Sequence, residues 1–279
     1  MIGADDALPL LGNSLARKMM VNSNTTIKQR MAKLDDGGRC TVFGCGRLVM
    51  SAAKVGLSSI ICKYHVQLRA KHGSTWHGSY RVADVKPYLR CAILWVANNK
   101  ADSLIAYPLL GVRGLLNSAG AVIPAKSLKR RSAAEKARAA FARLRERGIA
   151  PDRLLAIYIA VSVLIEDDAY ADRGERFRLV QLAKRIHPLA SGTHQRDEYW
   201  TTGEGTSPGS FVEHSYPRSS GLVLIAMGKA IDELCRGWVR IGRGTSAIEE
   251  VRAAKLARFG EHPSRLPNYQ ARKRSANKP

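Results

Sequence analysis

The chain has 279 residues, 45% of them apolar, with 45 Lys and Arg against 23 Asp and Glu, which gives a formal charge of +22 and a pI of about 10.2. That apolar share excludes a wholly disordered chain, and a domain size of roughly 100–200 residues allows one or two domains. The longest apolar run, Leu154 to Ile165, contains Ser162 and spans twelve residues, short of the ~20 that cross a bilayer.

Five cysteines are too few for a disulfide scaffold and leave one unpaired. The opening Met1-Ile-Gly-Ala-Asp-Asp lacks the basic region of a secretory signal. The expectation is a cytoplasmic protein without a membrane partner. Its charge is uneven. Residues 37–90 carry nine Lys/Arg against one Asp, residues 126–150 nine against two, and the tail from Gly260 five against one; residues 151–182 carry four against six. Concentrated positive charge attracts polyanions, and phosphate neutralisation with counterion release supplies affinity for nucleic acid.

In chain order, residues 1–36 are weakly patterned, with Asn22-Ser-Asn-Thr-Thr reading as loop, and are expected to be weakly ordered. Residues 37–80 hold a Cys/His module. From Asp84 to Asn98 the pattern is helical, with Asp84 as the cap and Pro87 in the first turn, where a missing N–H costs little. Val85, Leu89, Ala92 and Val96 share one face. The stretch Ala101 to Asn117 contains Pro108 and Gly111, so its helix is expected to be kinked or split.

Ser132 to Arg147 is the clearest helix, with Ser132 and Glu135 as a capping box and Gly148 as the stop. Its apolar stripe is Ala133, Ala137, Phe141 and Leu144. Arg131, Arg138 and Arg145 flank one side; Lys136, Arg143 and Arg147 flank the other. Pro151-Asp152 opens an apolar helix to Ile165, which the short break makes antiparallel to its predecessor. Arg173 to Leu189 is helical, with Phe177, Val180, Leu182, Ala183 and Ile186 as core candidates. Residues 190–220, rich in Ser, Gly, Thr, Pro and His, read as a long loop of a length unusual without a function. Leu222 to Arg240 and Ser246 to Phe259, the latter with Ser246 and Glu249 as a capping box, complete a helical domain over residues 81–259. Residues 260–279 read as a basic disordered tail. Strand signals are weak outside the Cys/His module. The fold class is therefore mostly α: a small zinc-binding, treble-clef-like module followed by an α-helical body.

The most specific motif is Cys40-x4-Cys45-x16-Cys62-x2-His65. Zinc takes thiolate and imidazole ligands in a closed tetrahedron. A close-spaced pair lets one turn present both groups to one ion, and Gly44 and Gly46 around Cys45 suit a sharply bent knuckle. Cys62 and His65, at i and i+3, meet on one helix face. The expected form is a knuckle, a hairpin over Leu48–Ser59, and a helix from Ile61 donating the last two ligands. Four protein ligands leave no open position, so the zinc is structural.

The run Cys40-Thr-Val-Phe-Gly-Cys45-Gly-Arg, then Gly56-Leu, then Cys62-Lys-Tyr-His65-Val-Gln-Leu-Arg69-Ala-Lys-His72-Gly73 resembles a small zinc module of bacterial and phage DNA-acting proteins, one often found beside homing-type endonucleases. The resemblance covers about 35 residues. It implies zinc on Cys40, Cys45, Cys62 and His65, and backbone-contacting roles for Lys63, Arg69, Lys71 and His72. No His-Asn-His constellation follows the module, which argues against a nuclease of that kind. The rest of the chain resembles only uncharacterised proteobacterial proteins.

Two weaker constellations accompany the motif. Residues 72–81 interleave aromatic, polar and basic groups, so Trp76 and Tyr80 are candidate base stackers or anchors for the module. Lys184-Arg185-x-His187, with His194 and Asp197 downstream, is a candidate acid/base or metal group. Arg130, Arg131, Arg138 and Arg145 form a stripe that can follow a phosphate backbone. Cys91 and Cys235 read as core thiols. The reading is a non-catalytic, zinc-containing nucleic-acid-binding protein, for DNA or RNA, of bacterial or mobile-element origin. The alternatives are a metal-dependent nuclease with its site in the 184–214 loop, and an adaptor whose zinc module docks a protein partner.

Overall fold

This computed structural model describes residues 38–49, 59–190, 193–202, 205–214, 221–240 and 245–263, of which 193–202 and 205–214 are described by backbone alone. The expectations for residues 1–36, for the tail from 264 onward and for most of the Leu48–Ser59 hairpin lie outside the described residues. The chain divides into two units between Gln67 and Leu68. Motif and charge alone had put the end of the module at residue 80.

In the first unit, residues 38–49 fold back on themselves. Arg39 bridges Leu48 in antiparallel fashion, Cys40 N–H donates to Arg47 O at 2.9 Å and Val49 N–H to Gly38 O at 3.0 Å. Helix α1 (Lys63–His72) begins in this unit and ends in the second. The second unit continues with α2 (Val82–Asn98), α3 (Ser103–Asn117), α4 (Ala133–Glu146), α5 (Pro151–Asp167), α6 (Glu175–Ala190), β1 (Thr193–Thr202), β2 (Gly205–His214), α7 (Gly221–Arg240) and α8 (Ala247–Phe259). The described chain is mostly helical, and a Cys/His cluster precedes the helical body.

Helix α5 is the axis of the second unit. Every residue from Leu154 to Ile165 is buried, because α2, α3, α6, α7 and α8 all pack against it. A helix apolar on all sides needs such a sheath. Among the described residues, no helix is long and apolar enough to cross a membrane. Asp232 of α7 is buried and ties three helices together. Both terminal nitrogens of Arg178 on α6 donate to it, Nη2 at 2.9 Å, as does Tyr158 Oη of α5 at 2.8 Å. Gly228 of α7 is where α6 comes closest: a Cβ there would stand 2.3 Å from Leu179 O.

The caps follow the sequence signals. Ser132 and Glu135 exchange hydrogen bonds ahead of α4, Ser246 and Glu249 do so ahead of α8, and Gly148 takes φ 66° just beyond α4. Three expectations are corrected. Helix α2 starts at Val82, so Asp84 is its third residue and its carboxylate accepts from Arg81 N–H at 2.8 Å; Pro87 falls in the second turn. Helix α3 runs unbroken through Pro108 and Gly111. There Gly111 admits Leu234 of α7, whose Cδ2 would lie 3.1 Å from a Cβ, and packing overrides propensity.

Third, most of the expected 190–220 loop is a hairpin, with β1 and β2 paired antiparallel from Thr193↔His214 to Thr202↔Gly205. Neither strand alternates apolar with polar, which hid them. The signal that was present in the sequence is the pair Gly203-Glu204, since a glycine-first pair is a composition found in tight hairpin turns. Pro208 is tolerated because each strand of a two-stranded sheet has an open edge.

Candidate metal centre and basic surfaces

The backbone of the first unit converges four donor atoms. Cys45 N–H donates to Val42 O at 3.0 Å, closing a turn in which Gly44 takes φ 80°, a conformation open to glycine at no steric cost. That turn brings Cys45 beside Cys40. Thr41 N–H and Oγ1 both donate to Ile60 O at 3.0 Å, which draws the incoming segment of Cys62 alongside. Cys62 immediately precedes α1, and His65 lies in its first turn. The expected helix from Ile61 thus starts two residues later, and Val66 N–H bonds Cys62 O at 3.0 Å.

The ligand atoms of Cys40, Cys45, Cys62 and His65 all lie within 4.8 Å of one another. His65 Nδ1 is 3.3 Å from Cys40 Sγ and 3.4 Å from Cys62 Sγ; the Cys45 and Cys62 sulfurs are 3.8 Å apart. A tetrahedron with metal–sulfur bonds of about 2.3 Å and metal–nitrogen bonds of about 2.05 Å has edges of about 3.8 Å between sulfurs and about 3.6 Å from sulfur to nitrogen. The donor set therefore fits one four-coordinate metal ion. Burial opposes ionisation of Cys40, yet the N–H groups of Cys62 and Val42 directed at its sulfur bring its pKa below the usual thiol value. Burial raises the pKa of Cys45, and the Arg47 N–H directed at its sulfur offsets this only in part. Burial, and then the Arg47 charge, lower the pKa of His65. Cys91 and Cys235 are buried in the second unit; burial, and then Asp232, push Cys235 up to about 12, so it is an inert core thiol.

No family model, curated protein or solved structure matches this chain.

The candidate contact residues separate into exposed and internal groups. Lys63 and Lys71 are exposed and Arg69 half-buried. Arg130 and Arg138 are exposed and make no ion pair among the described residues. Arg131 pairs with Glu135 at 3.0 Å. Arg145 is not a phosphate contact: its guanidinium donates to Leu116 O, Asn117 O and Gly120 O, at 3.1, 3.0 and 2.5 Å, and so caps the C-terminal carbonyls of α3. Trp76 is 37% exposed. Tyr80 is not a base stacker: it is 6% exposed, and its hydroxyl donates to Asp168 at 3.1 Å. His72 is held by Ser79 and Lys184.

The expected loop-borne acid/base site is also revised. His187 is buried in α6 at 7% exposure, where burial, and then Arg143, push its pKa down to about 4. His194 and Asp197 fall on β1, opposite Glu213 and Ser210, and their side chains lie outside the description. The sequence reading missed Phe43. It sits in the turn between the first two cysteines and is 87% exposed; its position inside the Cys40–Cys45 spacing was the available signal.

Proposed function

We propose that this chain is a nucleic-acid-binding protein whose first unit is held together by a structural zinc ion on Cys40, Cys45, Cys62 and His65. Three thiolates and one imidazole suit zinc, and four protein ligands leave no position for substrate. The observation that carries the reading is an exposed aromatic on an acid-free, cationic module. Residues 37–67 contain no Asp or Glu and four Lys/Arg, and Phe43 stands in solvent at the turn. Tyr64 is also exposed, with the Arg47 guanidinium 4.6 Å above its ring. Aromatic faces beside cations bind single strands by stacking and phosphate attraction. In the second unit, exposed Lys126, Lys129, Arg130 and Arg138 give a phosphate-attracting surface at the start of α4. The resemblance of the module to that of bacterial and phage DNA-acting proteins points the same way.

The test is anisotropy of labelled single-stranded DNA, duplex DNA and RNA across about 50–200 mM salt, where 6–10 phosphate contacts cost about 10³–10⁵-fold in affinity. Phe43→Ala should weaken single-strand binding by about 1–3 kcal/mol with the salt slope unchanged. Arg130→Glu with Arg138→Glu should flatten the slope. Absence of binding at low salt to all three probes would overturn the reading.

A further inference from the structure

Three side chains of the second unit, none of them part of the exposed surface proposed above, meet at one point. His72 ends α1, Ser79 lies between α1 and α2, and Lys184 is on α6. Ser79 Oγ is 2.5 Å from Lys184 Nζ and 2.8 Å from His72 Nδ1; Lys184 Nζ is 3.1 Å from His72 Nδ1.

The surrounding backbone holds this triangle in place. Gly73 takes φ 84° and runs so close to α6 that a Cβ would stand 2.6 Å from Arg176 O. Gln181 of α6 donates to His72 O at 3.1 Å and accepts from Tyr80 N–H at 3.3 Å. Arg185 of α6 donates to Tyr80 O. All three side chains are half-buried rather than sealed, and next to Ser79 the Cβ position of Gly78 has nothing within 4 Å.

A hydroxyl within hydrogen-bond reach of an amine that a third group orients is the arrangement of nucleophilic catalysis. We propose that Ser79 is a nucleophile for acyl transfer, with Lys184 as its general base and His72 as the residue that positions Lys184, acting on an ester or amide that bears a negative charge.

As a free amine, Lys184 takes the Ser79 proton while the oxygen attacks the carbonyl carbon and the carbonyl π pair moves onto its oxygen. As the adduct collapses, the bond to the leaving group breaks and Lys184 returns the proton to that group. Ser79 is left as an ester. Water, giving a proton to Lys184, attacks that ester; the proton returns to the departing Ser79 oxygen, and a carboxylic acid leaves.

The surroundings support this division of roles. Burial, and then the charges of Lys71 and Arg185, push Lys184 down to about 8. Burial, and then Lys184, Lys71 and His77, push His72 down to about 4. His72 is thus the weaker base, and its neutral Nδ1 can accept an N–H of Lys184 and aim the amine's lone pair at Ser79. The groups facing Lys184 are Lys71 and His72 from α1, Ser79 from the connecting segment and Arg185 from its own helix; Asp84 of α2 faces Arg185. The excess of positive charge favours an anionic substrate.

The experiment treats the full chain with a fluorophosphonate probe and reads intact mass, labelled peptide and rate against pH. One adduct on Ser79 is expected, forming at a rate that rises with pH through about 8. Ser79→Ala should not be labelled. Lys184→Arg keeps the charge without a usable base, and should label 10²–10⁴-fold more slowly, on the order of a lost general base, with no rise near that pH. His72→Leu should lose roughly 10²-fold through misplacement of the amine, and His72→Asn, with an amide oxygen as acceptor, should recover most of it. No adduct, an adduct at another residue, or Ser79→Ala labelling as fast as the parent would overturn the proposal. If Ser79→Ala does not fold, an undiminished rate in folded Lys184→Arg overturns it equally.

Discussion

In residues 38–67 the described buried apolar cluster is Cys40, Val49, Ile61 and Cys62, and two of those four belong to the Cys/His donor set. In residues 68–279, α5 alone contributes twelve consecutive buried residues, wrapped by five other helices. Burial at about 25 cal/mol per Å² can support the second arrangement against chain entropy. It cannot support the first, where so small a core leaves little margin. The contrast teaches that one chain carries two different bases for order, a converged Cys/His donor set in one unit and an apolar core in the other, and that each should fail under its own perturbation.

The largest effect should come from the metal. Apparent binding free energies of structural zinc sites are about 10–16 kcal/mol and are shared with folding. A strong chelator, or Cys62→Ser, should therefore erase amide-exchange protection across residues 38–67 while the protection of α5 persists. Loss of both together would abolish the distinction between the units. Next in size is Asp232→Ala. It strands Arg178, whose two terminal nitrogens the carboxylate now accepts from, and removes the acceptor of Tyr158. Breaking a buried pair costs about 3–5 kcal/mol, so the urea midpoint of the helical unit should drop with metal affinity unchanged; a change in metal affinity would mean that the two units are coupled. The smallest is Ser132→Ala, which deletes the cap of α4 at a cost of about 1 kcal/mol. Its effect should be confined to that helix in exchange experiments, and a loss above about 2 kcal/mol would show that the capping box does more than close a helix end.

Much of the helical unit was legible because its signals are local. Serine followed three residues later by glutamate marked the starts of α4 and α8, and the apolar run of α5 announced a helix buried on all sides. The four residues of the Cys/His cluster were legible for the same reason, since close-spaced donor pairs act through single turns. Other features depend on residues far apart in sequence. Pro108 and Gly111 predicted a break that packing against Leu234 of α7 prevents. Arg145 sat on a flank that looked solvent-facing, yet the end of α3 is there to receive it. Tyr80 read as a stacking aromatic until Asp168, 88 residues away, was placed against its hydroxyl.

The sequence by itself determined the mostly helical class, the Cys/His donor set, the positions of the caps and the asymmetry of charge, because each follows from composition or from contacts within a turn or two. Tertiary structure alone decided which cations remain exposed, that His187 is internal, and that Ser79 stands beside Lys184, 105 residues further along the chain. No local pattern encodes such a meeting; it arises when Gln181 and Arg185 of α6 hold the backbone of His72 and Tyr80 against that helix.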